Sequence, residues 1–428
     1  MRRQGSGSKN KAYPLKPKLS SNKAVIAAAV FILVMLASLN GTFAETIGEN
    51  VVSAKILRSE QDGREKEELK ELLDETLDRI DLGAWDDYLN GAGEELLQFG
   101  DADISSAAEL IRELSDQGFN TEADSVFEMT IAAFLSQLAQ NAPFIGAILA
   151  ISVFGGAAGM LFKGDGMDSP VRFVLSSCAV LSTTAVFSML ASEARAAVGA
   201  IGGFCELCAP PLSILLTACG CTEASVLLTP KLSLLASGIS SLISGAVMPA
   251  LLVSGILCML AGISEKLKLF GAIKLIHKTV KWAMGLAAVI FGAVILIGGA
   301  SAAAMDGAAF RSAKYAVDRM LPFGGSMVTG TVETVASVAL IAKNAVGIGG
   351  ILISVLIASS PLLKLAGGVF AFRIGAAVCE AFSCDGRVAA MLSGIGDTLS
   401  SMFAVCVCSA AMLVLTLGAI ISAGMAFF

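Results

Sequence analysis

The sequence predicts an all-α fold: a polytopic helical membrane protein with a signal peptide and a small helical extracytoplasmic N-terminal domain. Three observations carry this. The 428-residue chain is 55% hydrophobic with a mean hydropathy of +0.76, and only 15% of it is charged, against about 25% in soluble domains. Its 44 glycines accompany long apolar runs, a pairing typical of membrane helices. Its charge is also sharply partitioned. Residues 45–128 hold 24 of the 36 acidic residues and seven basic ones, whereas the 300 residues that follow hold 12 acids and 16 bases. The net charge of −6 therefore averages an acidic head with a weakly basic, apolar body.

The first 44 residues read as a signal peptide. Arg2, Arg3, Lys9, Lys11, Lys16, Lys18 and Lys23 precede an apolar run over 24–39, and Thr42-Phe43-Ala44 is a small-x-small cleavage pattern. An uncleaved anchor is the alternative, and either form sends Glu45 outward. The head at 45–128 reads as helical. Leu69, Leu72, Leu73, Leu77 and Ile80 share one helix face, and Ser106 to Glu109 forms a capping box. Trp85 and Tyr88 between these segments are expected to cover a small core. The acidity is either a solvated face or a docking surface for a basic partner. The head lacks cysteine, since all ten cysteines follow residue 170, so it has no disulfide framework.

The body at 129–428 is expected to make six to eight crossings. Residues 143–162 suffice to span a hydrocarbon core of about 30 Å and contain Gly155-x-x-x-Gly159. A second span covers 171–191. Pro210-Pro211 marks a broken or re-entrant segment within 196–221. Residues 226–263, with Pro230 and Pro249, read as one kinked span or two short ones. The stretch 264–281 is basic and amphipathic: Lys266, Lys268, Lys274, Lys278 and Lys281 alternate with Leu and Ile. It suits an anionic membrane surface on the cytoplasmic side. Trp282 takes an interface position and opens a span to 305. Two spans flank Pro361, Arg387 and Asp397 mark a polar break, and 399–428 is the last span.

Catalytic, cofactor and metal sites are not expected. The chain has one histidine, His277, placed with the polar face of the basic stretch. A single histidine rules out His-rich metal sites and argues against Ser-His-Asp or HExxH chemistry, and no Walker A pattern occurs. Cys205-x-x-Cys208 with Cys219-x-Cys221 could supply four thiolates to zinc, but the second spacing is tight and the surroundings are apolar, so buried thiols are the expectation. Basic patches interleaved with aromatics are missing, which argues against nucleic acid as a partner. Glu206, Asp306 and Glu333 are the acids nearest to membrane depth, where ionisable groups are costly and usually functional. They are either conduction residues or helix-end groups in water.

From residue 278 the order of residues carries a resemblance. Lys281-Trp282-Ala-Met-Gly-Leu precedes a span, followed by Asp306-Gly307, Arg311 and Lys314, then Leu321-Pro322-Phe-Gly324-Gly325 and Lys343-Asn344-Ala-Val346-Gly347. With Ala209-Pro-Pro-Leu and Leu228-Thr-Pro230 upstream, this resembles the stage III sporulation protein AE family of endospore-forming Firmicutes. The resemblance implies a large integral membrane subunit of a channel-like complex, related in parts to specialised secretion systems. That complex joins mother cell and forespore and supports late forespore development. The implied partners are the other subunits of the stage III sporulation A complex, its ATPase and ring-forming members among them, and indirectly a forespore membrane protein. The implied place is the mother-cell membrane around the forespore. Candidate channel or interaction residues are Glu206, Lys281, Trp282, Asp306, Arg311, Lys314, Lys343 and Asn344. A stand-alone secondary transporter with a midplane site near Pro210-Pro211 is the alternative.

Overall fold

The computed structural model describes residues 83–91, 135–136, 138–161, 168–263, 269–320, 325–382 and 386–422. The signal peptide, the helices expected over 69–80 and 106–114, and residues 321–324 lie outside the described residues. Eight α-helices are described: α1 (Gly83–Gly91), α2 (Ala142–Leu161), α3 (Asp168–Ala218), α4 (Thr222–Leu242), α5 (Met248–Ile263), α6 (Phe270–Met320), α7 (Gly325–Phe382) and α8 (Gly386–Ser422). Among the described residues every regular element is helical.

The centre of the bundle is the pair α7 and α8, with α3 against both. Leu365 and Phe372 on α7, Leu392, Ile395, Leu399 and Cys406 on α8, and Phe204, Leu212 and Leu216 on α3 are all fully buried. Glycines bring the helices close. A Cβ at Gly255 would collide with the Phe187 ring, one at Gly262 with Met391, and one at Gly368 with Leu190. These are the close backbone approaches that membrane bundles use where water provides no drive between helices. Ring packing of Phe144 on Phe372, at 4.7 Å between centroids, seats α2 on α7.

Five helical stretches are long and apolar enough to cross a membrane: 173–218, 236–263, 270–295, 338–381 and 386–421. In the apolar windows of the stretches 173–218 and 270–295 only 28% and 22% is buried, against 56% and 50% for 338–381 and 386–421. Those windows of α3 and α6 present Leu181, Val289 and Ile290 outward. Exposed apolar side chains in such density need lipid or protein against them. Several hydroxyls inside the bundle are satisfied by their own helix. Ser152, Ser354, Ser401, Ser409 and Thr416 each donate to the carbonyl four residues back.

Several expected breaks are continuous helix. α3 runs through Pro210-Pro211 and α7 through Pro361. Asp397 lies inside α8 and is no break. The stretch 222–263 is one continuous helical path: α4 joins α5 through a π-helical turn, Ile243–Val247. α3 ends in a tight C-terminal turn. Gly220 is left-handed at φ 82°, Cys221 N–H donates to Leu216 O at 2.9 Å and Gly220 N–H to Thr217 O at 3.0 Å. Those bonds satisfy last-turn carbonyls in the Schellman pattern, where glycine avoids a Cβ clash.

Candidate functional site: buried polar groups of the bundle

Lys343 is fully buried on α7, and its Nζ donates to the carbonyl of Ile421 at 2.9 Å. Ile421 lies at the C-terminal end of α8, where carbonyls lack helical partners and the helix dipole is negative. A lysine there meets both needs. One turn on, Gly347 lets the Ile421 side chain pass where a Cβ would stand. Asn344 is also buried, and its side-chain amide finds no hydrogen-bond partner among the described residues.

The same end of the bundle receives α1. Trp85 is 1% exposed, although it belongs to the acidic head. Its ring meets Phe204 edge-on at 5.3 Å, and Tyr88 meets Phe204 at 5.6 Å. Gly203 makes room for the Tyr88 hydroxyl and Gly350 for the Trp85 ring. The indole N–H donates to Leu207 O at 3.4 Å. Pro211 explains that acceptor: proline has no N–H, so the carbonyl four residues earlier, on Leu207, is left without its helical donor. Trp85 supplies one from another part of the chain. Trp85 and Tyr88 thus pack on the membrane body.

Two half-exposed ion pairs link α7 to its neighbours. Arg373 on α7 meets Asp397 on α8 at 3.1 Å, and Lys364 on α7 meets Glu193 on α3 at 3.5 Å. A third polar group joins α5, α6 and α8. His277 Nε2 lies 2.9 Å from Ser254 Oγ and 3.2 Å from Thr398 Oγ1.

The residues singled out from sequence are dispersed. Lys343 and Asn344 adjoin each other in the core, whereas Glu206, Lys281 and Trp282 are exposed on α3 and α6. Asp306, Arg311 and Lys314 fall in the α6 backbone, and Glu333 in that of α7, with side chains outside the described residues. The pairs Arg373–Asp397 and Lys364–Glu193 and the His277 group escaped the sequence reading. His277 has a legible signal: Ile273, Val280 and Met284 are the buried stripe of α6, and 277 falls on that stripe at helical spacing. It faces inward, not with the exposed lysines at 274, 278 and 281. Among the described residues no group of three or more His, Cys, Asp and Glu gathers to hold a metal.

Exposed apolar faces and five membrane-length helical stretches define a multi-pass α-helical membrane protein. The chain belongs to the stage III sporulation protein AE family, whose signature matches residues 105–424. It is 27% identical over 287 residues to Stage III sporulation protein AE of Bacillus subtilis (strain 168), covering 66% of this chain and 72% of that protein. No solved structure matches it. It is thus a sporulation protein of the membrane.

Proposed function

We propose that the chain is the integral membrane subunit of a channel or secretion-like complex between mother cell and forespore, serving late forespore development. It sits in the mother-cell membrane around the forespore as wall or platform and carries no catalytic site of its own. The signal peptide at 1–44 sends the acidic domain at 45–128 to the extracytoplasmic side, the body occupies 129–428, and the basic stretch 264–281 lies on the cytoplasmic surface. Its partners are the other stage III sporulation A subunits, including the ATPase and ring-forming members, with the forespore membrane protein reached indirectly.

The observation that carries this reading is the overlap of the family match, 105–424, with the packed bundle. Lys343, in the motif that carries the resemblance, serves there to hold helices together. That is how a wall or platform would use a buried charge, since an unpaired one costs several kcal/mol. The acidic head adds charge on the side where partners would dock. Deleting residues 92–128, which leaves Trp85 and Tyr88 on the bundle, separates this reading from a stand-alone transporter. A complex subunit loses partner assembly and spore formation while still reaching the membrane. A permease keeps transport, and retained assembly with normal sporulation contradicts the docking role.

A further inference from the structure

The outward face of α3 carries a charge that lipid does not satisfy. Arg195 is exposed there, and no hydrogen bond or ion pair meets its guanidinium among the described residues. Its depth follows from the contacts of its neighbours. Cys406 donates to the Ala194 carbonyl at 3.6 Å, and Lys364 pairs with Glu193 at 3.5 Å. Cys406 stands about twenty residues from one end of the membrane-length stretch 386–421 and about fifteen from the other. Lys364 is similarly central in 338–381. A hydrocarbon core takes about 20 helical residues, so a core centred on these stretches includes this level. Close by, Ala287 and Phe291 of α6 pack on Met412 of α8, and there α6 exposes Leu286, Val289 and Ile290. At one level, then, α6 presents apolar side chains to lipid and α3 presents a guanidinium. That group stays charged, and charges at membrane depth face protein or water rather than acyl chains.

Arg195 borders a stripe suited to protein contact. Leu181, Ser188, Ser192 and Gly199 are exposed and recur at helical spacing along one line of α3. The space where a Cβ of Gly199 would stand is open. Small residues and hydroxyls let membrane helices approach closely and bond across a seam. At about 100° per residue, Glu193 falls about 100° to one side of Ser192 and Arg195 about 60° to the other. Two opposite charges therefore flank the stripe, one on each side, about 3 Å apart along the helix axis. Lys364 approaches Glu193 through Oε1, and both side chains stay about one-third exposed. A carboxylate has room for further donors, so Oε2 can accept another.

We propose that this face binds a second copy of the chain within the membrane, α3 against α3, with Arg195 of each copy paired to Glu193 of the other. Copies in one membrane stand the same way up and at the same depth, so a twofold axis between them runs along the membrane normal. Such an axis sets the two α3 helices parallel and brings each flank of one against the opposite flank of the other. Arg195 then meets Glu193 at its own level, twice, on the two sides of a seam formed by Ser188, Ser192 and Gly199. Each guanidinium gains a carboxylate, and each Glu193 gains a second cation. This self-complementary charge pattern at a single depth is what selects a second copy over a different helix. The pairing needs only the membrane body, not the other sporulation subunits, and is tested without them.

The test co-expresses the full chain with two different affinity tags and asks whether one tag retrieves the other in mild detergent. Wild-type copies are expected to co-purify. Arg195→Glu on both copies sets carboxylates against Glu193 and should cut retrieval about tenfold or more. Glu193→Lys on both copies should do the same. An Arg195→Glu copy expressed with a Glu193→Lys copy regains both ion pairs, and retrieval should return to near the wild-type yield, which misfolded variants would not show. Cross-linking reads the seam without changing its charges. In a Cys178→Ser background, Ser192→Cys should form disulfide-linked dimers in membranes under mild oxidation faster than Val289→Cys on the lipid-facing side of α6. Wild-type copies that do not retrieve each other overturn the proposal, as do Arg195→Glu copies that associate like the parent. Equal cross-linking at 192 and 289 overturns it as well.

Discussion

Lys343 is the residue where burial and function pull hardest against each other. A buried ammonium is costly unless paired, and here it closes the carbonyl end of α8 through Ile421. Lys343→Met keeps most of the volume and removes the donor, which leaves that carbonyl unmet. The expected loss is about 1–3 kcal/mol, read as a lower unfolding temperature of the protein in detergent, and unchanged stability would contradict the capping role. Trp85 makes a second residue-scale test. Only Trp85 and Trp282 are present, the first buried and the second 68% exposed. In a Trp282→Phe variant the remaining emission should be blue-shifted and poorly quenched by aqueous iodide. Strong quenching would mean that α1 does not dock. The sequence shows the two tryptophans but not their environments, because Trp85 is buried by α3 and α7, more than a hundred residues away.

At the scale of elements, the helices were legible from their apolar runs and their ends were not. The proline pair in α3 shows why. Local chemistry says that Pro211 breaks the helix, but a remote indole takes up the carbonyl it frees, and the backbone stays helical. Ser213 Oγ adds a bond to Pro210 O at 2.8 Å. Likewise Asp397 reads as a break when its sequence neighbours are considered alone, and Arg373, 24 residues earlier, makes it a helix-interior residue. Glycine contacts give the sharpest element-scale prediction. Gly255→Val places carbon where the Phe187 ring stands and should cost about 1–3 kcal/mol by overpacking. Gly285→Ala, with nothing within 4 Å of its Cβ position, should leave stability within about 0.5 kcal/mol of the parent. Parallel melts of the two variants test this, and equal losses would contradict the packing of α3 on α5.

For the whole molecule, the charge partition in the sequence corresponds to a physical connection between its parts. The acidic segment is tied to the apolar body through α1, at the end of the bundle where Lys343 closes α8. The contact of His277 with Ser254 and Thr398 lies toward the other end of α8. Composition was enough to read a multi-pass helical body. It could not reveal that the candidate residues Lys343 and Asn344 are interior, since both follow an apolar run whose register only α8 and α3 settle. The topology proposed here places residues 45–128 and the lysine-rich stretch on opposite sides of the membrane. Reporter fusions at residue 128 and at residue 268 should accordingly be active on opposite faces, and activity on the same face would contradict it. The most direct test of the central claim is purification of the affinity-tagged full chain from sporulating cells under mild detergent. The account predicts recovery of the ATPase and ring-forming subunits of the stage III sporulation A complex with it. Recovery of the chain without them, from cells that contain those subunits, would contradict it.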